Sequence, residues 1–586
     1  MEEALLLPSR NTEDGVVVSR PRFSSTPMLI FTTSIVSCGS LAYGFSVGYT
    51  SPAEAGMMAD LGLTIAEYSV FSSILKFGGM VGALISGRVS DLVGRRATMW
   101  ILEIFFILGW ILVIFGKNGW WLDTGRLLMG IGSGMHCYVA PIYIGEITPK
   151  DIRGAFVAAV TFSVTLGFSL MFFVGNFMNW RSLALFGLLP SLIQVVGLFF
   201  IPESPRWLAK IGNTKGIETA LQQLRGRDAD ISSEAAEIIE FAEALQLEPK
   251  SSLWDLFDRR YAHPLLVGVG LMLLVQLGGS DGISSYASSI FEAAGCSAAV
   301  GSTILAVIQL PFSSLSVLLM DKAGRRPLLM ATAAFSCFGC FLAGLSFLFQ
   351  AHNVLKEISP LLALIGILIN SSSFGAGLGG APWVIMSEIF PINIKGTGGS
   401  LVTLGNWFGS WIVTYAFNFL FEWSSSGVFF IFSIICASII LFVAKLLPET
   451  KGRTLEEIQA SMTLFKKKGC QGYSVKNKNK KFMGKSAAVS QMAYQINLYR
   501  STLSSSGCMT CRNKDITLKI SCSQIIDLTT KSMMTESFKA IRANSNESVA
   551  IPANITDKNV VIPTNITRDV AAIPANIHKE VVAIPN

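Results

Sequence analysis

The chain has 586 residues, of which 51% are hydrophobic and only 15% are charged. Soluble globular domains carry about 25% charged residues, so this composition excludes an ordinary soluble protein and indicates one that lies in a lipid bilayer. The net charge of +7 is distributed over short loops, a middle segment and the C-terminal region, which argues against a nucleic-acid-binding face.

Twelve apolar segments are long enough to cross a bilayer as helices, since one span needs about 20 residues. The tenth segment is long and rich in glycine, which predicts a break inside it. A polar stretch at 202–263 separates the sixth segment from the seventh, and its pattern from Ser233 to Leu247 predicts short amphipathic helices. The predicted spans cover roughly 27–49, 67–87, 97–116, 120–144, 154–176, 183–201, 264–287, 298–320, 327–349, 358–388, 398–421 and 426–447.

The basic residues of the short loops collect on one side of the predicted spans. Because positively charged loops face the cytoplasm, we expect this side to be cytoplasmic, together with the N-terminal segment 1–26, the linker 202–263 and the tail 448–586. The tail ends in four copies of an 11-residue repeat that carries a proline each time. This repeat predicts a largely disordered tail.

Three motifs occur twice, in the same order and 230 to 246 residues apart. The first is Asp-x-x-Gly-Arg-Arg, the second pairs a glutamate with a basic residue seven positions later, and the third is Pro-Glu. Such loops are tight turns whose charges orient the chain. We predict that they also form a cytoplasmic gate, in which arginines donate to carboxylates or helix C-termini of neighbouring spans when the gate shuts. The predicted gate residues are Asp91, Arg95, Arg96, Glu146, Arg153, Glu203, Arg206, Asp321, Arg325, Arg326, Glu388, Lys395 and Glu449.

The motif strings resemble those of the sugar porter family of the major facilitator superfamily. Beside Asp-x-x-Gly-Arg-Arg, they are Pro-Glu-Ser-Pro-Arg-Trp-Leu from Pro202 and Pro-Glu-Thr-Lys-Gly from Pro448. The strings at 202–210, 383–390 and 454–460 are similar to those of the plant early-responsive-to-dehydration-six-like monosaccharide transporters. The resemblance covers about residues 27–462 and implies an all-α membrane protein, with twelve transmembrane helices in two pseudo-symmetric six-helix halves at 27–201 and 264–447.

The resemblance also implies a sugar site between the halves, where polar side chains meet sugar hydroxyls and an indole packs on the ring. The chain departs from the family pattern at several of these positions, because Thr161 stands where glutamine is usual and Asp281 stands where asparagine is usual. We therefore expect an affinity or substrate choice unlike that of a typical hexose carrier. The substrate residues implied by motif are Thr161, Gln276, Asp281, Gln309, Trp383 and Asn406, and Tyr286 takes the place of an outer-gate aromatic residue.

Energy coupling depends on the first span. Proton-linked members of the family place an aspartate two residues after a glycine there, whereas this chain has Ser46. Since serine cannot carry the proton, the resemblance favours facilitated diffusion, with Asp281 as the alternative proton carrier. Lys76 lies near the middle of the second span, and we expect it to face the cavity or to pair with a carboxylate, Asp281 first.

These patterns predict a facilitative monosaccharide transporter that works by alternating access in a lipid bilayer. The four histidines are dispersed and no phosphate-binding loop follows a strand, so we expect no enzymatic activity, no cofactor and no metal site. A sugar sensor that transports poorly, with the tail as its interaction arm, is the alternative from another class. Glu2, Leu6 and Leu7 fit an acidic dileucine signal for a sorting adaptor, and since the resembled family has vacuolar members sorted in this way, the vacuolar and plasma membranes are alternative locations.

Overall fold

The computed structural model describes residues 26–149, 151–226, 228–247, 261–390 and 394–451. Within these ranges every regular element is helical. The predicted sorting signal at Glu2, Leu6 and Leu7 and the part of the predicted disordered tail beyond residue 451 lie outside the described residues.

The first half contains the six spans predicted for it, and polar side chains cap several of them. Thr64 and Glu67 form a reciprocal capping box at the start of the second span, which satisfies backbone N–H groups that the helix itself leaves unpaired. Asn118 and Asn179 cap the fourth and sixth spans in a similar way. The helices are α1 (Pro27–Gly48), its extension α2 (Thr50–Leu61), α3 (Ile65–Val93), α4 (Arg95–Ile114), α5 (Gly119–Ile147), α6 (Arg153–Gly175) and α7 (Trp180–Leu198).

Glycines let α3 and α5 approach each other closely. A Cβ atom on Gly130 would lie 2.2 Å from the carbonyl oxygen of Leu75, and one on Gly134 would lie 2.2 Å from that of Gly79. Helices in a bilayer associate through such close packing, because lipid supplies no hydrophobic driving force between them. Close packing of α3 on α5 at these glycines therefore stabilises the first half.

The middle segment forms three short helices around a small apolar core that contains Leu208, Ile217 and Leu221. Arg225 donates to both carboxylate oxygens of Glu234 and to the carbonyl oxygen of Ile147, which fastens the segment to the end of α5. The amphipathic helix predicted from Ser233 is confirmed. The three helices are α8 (Pro205–Lys210), α9 (Thr214–Arg225) and α10 (Ser232–Leu247).

The second half repeats the plan of six spans, but two of its spans are interrupted. The predicted break in the tenth span is confirmed, since a π-helical turn at Phe374–Leu378 separates two α-helices. The seventh span also breaks, at Gly278 and Gly279, which the sequence did not predict. The helices are α11 (Ala262–Leu277), α12 (Ser280–Ser285), α13 (Ala287–Ala293), α14 (Ala298–Ala323), α15 (Arg325–Ala351), α16 (Ser359–Ser373), α17 (Ala381–Ile389), α18 (Lys395–Trp423) and α19 (Ser425–Leu446).

Eleven helical segments in the described part of the chain are long and apolar enough to cross a membrane. The helix α18, with 29 residues, lies between two of them and completes the twelve spans. Large apolar side chains such as Ile434 and Leu441 are 70% and 62% exposed, as expected of a surface that contacts lipid. The protein is therefore an integral membrane protein that crosses the bilayer many times.

The two halves meet where α3 packs on α18 and α6 packs on α14. We call the side of the bilayer that carries the two Asp-x-x-Gly-Arg-Arg loops the motif side, and the other one the opposite side. The largest buried apolar cluster extends from the first half into α12, α13 and α18, and includes Tyr286, Phe291 and Phe417. A second cluster stays within the second half. The halves therefore share a core toward the opposite side.

The face of α6 that meets α14 shows where this contact ends. The Thr165 hydroxyl lies 3.2 Å from that of Ser313 in the other half. Thr161 lies on the same face, one turn nearer the motif side, and is exposed. In the described residues, hydrogen bonds join the halves from Thr165 toward the opposite side and none joins them nearer the motif side, so the space between the halves is closed on the first side and open on the second.

Candidate substrate site

Lys76 and Asp281 form an ion pair across the interface between the halves. The Lys76 Nζ lies 3.0 Å from the Asp281 Oδ2, and the two side chains are only 7% and 21% exposed. Ser410 on α18 donates to the same carboxylate oxygen. The pairing predicted for Lys76 is therefore confirmed, and Ser410 is a partner that the sequence did not indicate.

Gln276 and Asn406 form a second polar pair close to the first. The Gln276 Nε2 donates to the Asn406 Oδ1 at 2.7 Å, and the Gln276 Oε1 is buried without a partner in the described residues. Asn406 lies one helical turn before Ser410 on the same face of α18, so the two pairs are neighbours. The break at Gly278 and Gly279 lies between Gln276 and Asp281 on the chain.

Trp407 fills the space between α18 and α3. It is buried, and a Cβ atom on Gly79 would lie 2.6 Å from its ring. The Lys76 Nζ lies 5.9 Å from the centre of the indole, and the Tyr43 ring lies 6.5 Å from it. The sequence did not single out Trp407, although its place beside Asn406 is a signal that could have found it.

The other predicted substrate residues make no hydrogen bond with these pairs in the described residues. Thr161 donates to the carbonyl oxygen of Val157 in its own helix at 3.1 Å. Gln309 on α14 is half-buried, and its Oε1 has no partner in the described residues. Trp383 is half-buried just after the break in the tenth span and packs on the core of the second half. Within the described ranges, no hydrogen bond joins these three side chains to Gln276.

Arg126, on α5, holds the part of the first span that contains Ser46. It is 1% exposed and donates to the Ser46 carbonyl oxygen and to the Thr50 hydroxyl. Its guanidinium also lies 5.0 Å from the centre of the Phe71 ring. These partners are neutral, so the guanidinium is held by uncharged groups at the position where proton-linked relatives are expected to carry an aspartate.

Tyr286 lies between α12 and α13, toward the opposite side, and is fully buried. Its hydroxyl donates to the Thr414 carbonyl oxygen at 3.2 Å, and its ring stacks on Phe417 with 5.3 Å between centroids. The Tyr68 ring of the first half lies 6.3 Å away. Tyr286 thus packs between the halves where they are closed, while its role as a gate remains a prediction.

Beyond Tyr286, hydroxyl and carboxyl groups join α2 to α13. The Ser51 and Ser288 hydroxyls lie 2.9 Å apart, and Ser289 donates to the Glu54 carboxylate. We call these four residues the seam. Glu54 lies beyond the end of the first span, which ends at Gly48. Its burial raises its pKa to about 7, opposed by the Ser289 hydroxyl and helped by the nearby Glu292.

On the motif side of the first half, Arg95 makes the bidentate contact that guanidinium and carboxylate geometry favours. Its Nε and Nη2 each lie 2.9 Å from an oxygen of Glu146, and its Nη1 lies 3.3 Å from Asp91. Glu203 accepts from the backbone N–H groups of Arg95 and Arg96 at the start of α4. Burial raises the pKa of Glu203, while these donated N–H groups lower it.

The second half repeats this arrangement more loosely. The Arg325 Nη2 lies 3.2 Å from Glu388, and Glu449 accepts from the backbone N–H groups of Arg325 and Arg326 at 3.2 Å. Arg326 donates to the Ala444 carbonyl oxygen near the end of α19, as Arg96 does to that of Leu198 at the end of α7. Each of these contacts joins residues of one half to each other or to the segment that directly follows it. They are present while the motif side is open, so they do not require a shut gate.

The remaining predicted gate residues make fewer polar contacts in the described residues. Arg153 has an Nε without a partner in the described residues. Arg206 lies 5.7 Å from the centre of the Phe241 ring. The side chains of Asp321 and Lys395 lie outside the described residues. In the parts of the chain that the structure describes, no group of three or more histidine, cysteine or acidic side chains is arranged to hold a metal ion.

Comparison with known proteins decides the family. A family model described as sugar (and other) transporter matches residues 24–462. The sugar transporter ESL1 of Arabidopsis thaliana is 50% identical over 462 residues, which cover 78% of this chain and 98% of that protein. This chain belongs to the sugar transporter family.

Further relatives and solved structures agree with this assignment. The sugar transporter ERD6 of Arabidopsis thaliana is 48% identical over 435 residues, covering 74% of this chain and 88% of that protein. The inward-open xylose transporter XylE from E. coli aligns with a TM-score of 0.64 at 23% identity, over 74% of this chain and 99% of that one. The proton:xylose symporter XylE bound to 6-bromo-6-deoxy-D-glucose aligns with a TM-score of 0.62 at 23% identity, over 75% of this chain and 100% of that one. The predicted major facilitator fold and the predicted resemblance to ERD6-like sugar transporters are confirmed.

Proposed function

We propose that this sugar transporter family member moves a monosaccharide down its gradient by alternating access. The observation that carries the proposal is a polar site between two halves that are joined on one side and apart on the other. The relatives are named sugar transporters, which supports a sugar as the substrate. We propose that the halves 27–201 and 264–447 rock as units about the site.

The chemistry of the site suits an uncharged polyol. Gln276 and Asn406 offer amide groups, Asp281 offers a carboxylate whose charge Lys76 balances, and Trp383 offers an indole at the edge of the space. Each sugar hydroxyl that leaves water needs such a partner, and each hydrogen bond contributes about 0.5–1.5 kcal/mol net. A monosaccharide fits this supply of donors and acceptors.

Facilitated diffusion is the form of transport that the first span supports. Arg126 is occupied by the Ser46 carbonyl oxygen and the Thr50 hydroxyl, so no acidic group takes up and releases a proton there. One observation favours proton coupling as a second candidate, namely the carboxylate of Asp281 between the halves.

We propose the motif side as the cytoplasmic side, in a vacuolar or plasma membrane, on the basis of its arginine-rich loops.

Uptake of radiolabelled hexoses and pentoses into proteoliposomes that contain the purified protein tests the proposal. We expect saturable uptake that stops at equilibrium, with no accumulation above equilibrium when an inward proton gradient is imposed. Empty liposomes and protein heated before reconstitution are the controls. Accumulation above equilibrium that an inward proton gradient drives would instead support proton coupling, and absent flux with retained sugar binding would support a sensor.

A further inference from the structure

Lys76 is an unusual residue for its position, because a charged side chain in the middle of a span is costly unless it is paired. Its environment meets that need from the other half. The ammonium lies 3.0 Å from the Asp281 carboxylate and 5.9 Å from the centre of the Trp407 ring, and the side chain is 7% exposed. These two partners, on α12 and α18, hold Lys76 from the second half, although it belongs to α3 of the first half.

The two oxygens of Asp281 are used differently. Oδ2 accepts from both Lys76 and Ser410, whereas Oδ1 has no donor among the described residues. Oδ1 is not fully buried, and the side chain is 21% exposed. This oxygen is therefore accessible from the space between the halves. The amide pair of Gln276 and Asn406 lies about one helical turn away along α18.

We infer that Lys76 is a positioning residue of the substrate site, which holds Asp281 by Oδ2 so that Oδ1 accepts a hydrogen bond from one sugar hydroxyl. The inference rests on the proposed function, since it assumes that the substrate is a sugar. A hydrogen bond to a charged acceptor is stronger than one to a neutral acceptor, so this hydroxyl contributes more to affinity than the others. Lys76 itself donates to Asp281 and does not need to touch the sugar.

The position of the pair adds a second consequence. Because α3 and α12 belong to different halves, the pair of Lys76 and Asp281 joins the halves in this arrangement, which is closed on the opposite side. The carboxylate is therefore held in place for a sugar that arrives from the motif side. We expect Lys76 to matter more for affinity at the motif side than for affinity at the opposite side.

Binding of D-glucose and its four monodeoxy analogues (2-, 3-, 4- and 6-deoxy) to the purified full-length protein, followed by tryptophan fluorescence, tests the inference. Lys76→Met and Asp281→Asn are each expected to raise Kd by about ten- to hundredfold, the range for a lost hydrogen bond to a charged group. The double variant should bind no more weakly than Asp281→Asn alone. For the original protein, the Kd of one deoxy analogue should be about ten- to hundredfold higher than the Kd of D-glucose. For each single variant, the Kd of that analogue should be close to the Kd of D-glucose.

Two further variants separate positioning from general stability. Lys76→Arg keeps a cation of similar reach and should leave Kd within about threefold, while Lys356→Met removes an exposed lysine and should change nothing. Additive losses in the double variant, or equal discrimination against the deoxy analogues in Lys76→Met and the original protein, would overturn the inference. Because binding is measured without flux, a protein that binds sugar as described but does not transport it would refute the proposed function alone. If Lys76→Met does not fold, Lys76→Leu, which also removes the ammonium group, replaces it in the same titrations.

Discussion

Gly279 lies where the seventh span breaks, and two constraints act on this one residue. Its φ of 92° is a conformation that side chains disfavour, and an added Cβ atom would lie 2.3 Å from the ring of Phe432. We expect Gly279→Ala to lower the free energy of unfolding by about 2–4 kcal/mol, from backbone strain and overpacking together. Thermal unfolding of the purified protein in detergent measures this loss.

Gly212 provides the matched control for Gly279. Its φ is 75°, but nothing lies within 4 Å of an added Cβ atom. Gly212→Ala should therefore cost only the backbone strain, about 1–2 kcal/mol. Equal losses in the two variants would show that the Phe432 contact contributes nothing.

Single residues differ in how visible their roles are in the sequence. Lys76 and Asp281 were predicted to matter, because charged residues inside apolar segments are rare. Ser410 and Trp407 were not, because serine and tryptophan are ordinary residues in a span and their importance depends on which helix they face. Their contacts with Asp281 and Gly79 arise only when α18 packs between α12 and α3.

At the scale of helices, the two copies of the arginine motif differ in strength. The pair between Arg95 and Glu146 joins α4 to α5 through two contacts of 2.9 Å, whereas Arg325 reaches Glu388 through one contact of 3.2 Å. Lysine keeps the charge but cannot bond to both oxygens in this way. We expect Arg95→Lys to destabilise the protein by about 1–3 kcal/mol and Arg325→Lys by about half as much, in thermal unfolding.

The comparison between the two variants is the control, because both remove the same guanidinium from the same motif. A larger loss for Arg325→Lys would contradict the view that bidentate geometry determines the difference. Glu146→Gln should resemble Arg95→Lys, since either change weakens the same pair.

The seam between α2 and α13 gives the closed side a dependence on pH. Glu54 is buried there, so its pKa is raised from 4.5 to about 7, and the closed seam favours the protonated form. The free energy that protonated Glu54 contributes to closure is therefore fully present below about pH 4.5. This contribution, about 3 kcal/mol in total, is lost as the pH rises through 7. The Thr303 hydroxyl accepts a hydrogen bond from Asn176, also between the two halves. In the variant Thr303→Cys, the cysteine should react with maleimide faster at pH 8 than at pH 5.5.

The variant Glu54→Gln keeps the size of the side chain and removes its titration. Because maleimide chemistry itself depends on pH, the labelling rate at Thr303→Cys is compared with the rate in the Glu54→Gln background. We expect the excess acceleration at pH 8 to disappear in that background. An unchanged pH profile would contradict the role of Glu54.

The order of the helices was predictable, because a span is a local property of about 20 residues of composition. The break in the tenth span was also visible as a run of glycines. The break at Gly279 was missed, since glycines are frequent in spans and only the contact with Phe432 distinguishes this one.

At the scale of the whole molecule, transport requires the seam to open and close. The hydroxyls of Ser51 and Ser288 lie 2.9 Å apart in the closed arrangement, on different halves. The double variant Ser51→Cys and Ser288→Cys is expected to form a disulfide that abolishes hexose uptake under oxidising conditions and releases it on reduction. Uptake assays in proteoliposomes, before and after dithiothreitol, measure this effect.

Each single cysteine variant is the control for the pair, and both should transport at the original rate under oxidation. Uptake that persists in the oxidised double variant, with the disulfide verified by mass spectrometry, would contradict alternating access through this seam. The result is independent of the sugar that the site prefers.

The spans, the duplication and the family could be predicted from the sequence, because apolar length, loop charge and repeated motifs are properties of neighbouring residues. Helix packing was needed to show that Lys76 meets Asp281 through one oxygen, that Ser410 joins them, and that the halves are closed at the seam and open at the motif side. These contacts join residues more than 100 positions apart, and they depend on how helices with similar apolar faces pack. That packing is a property of the assembled molecule.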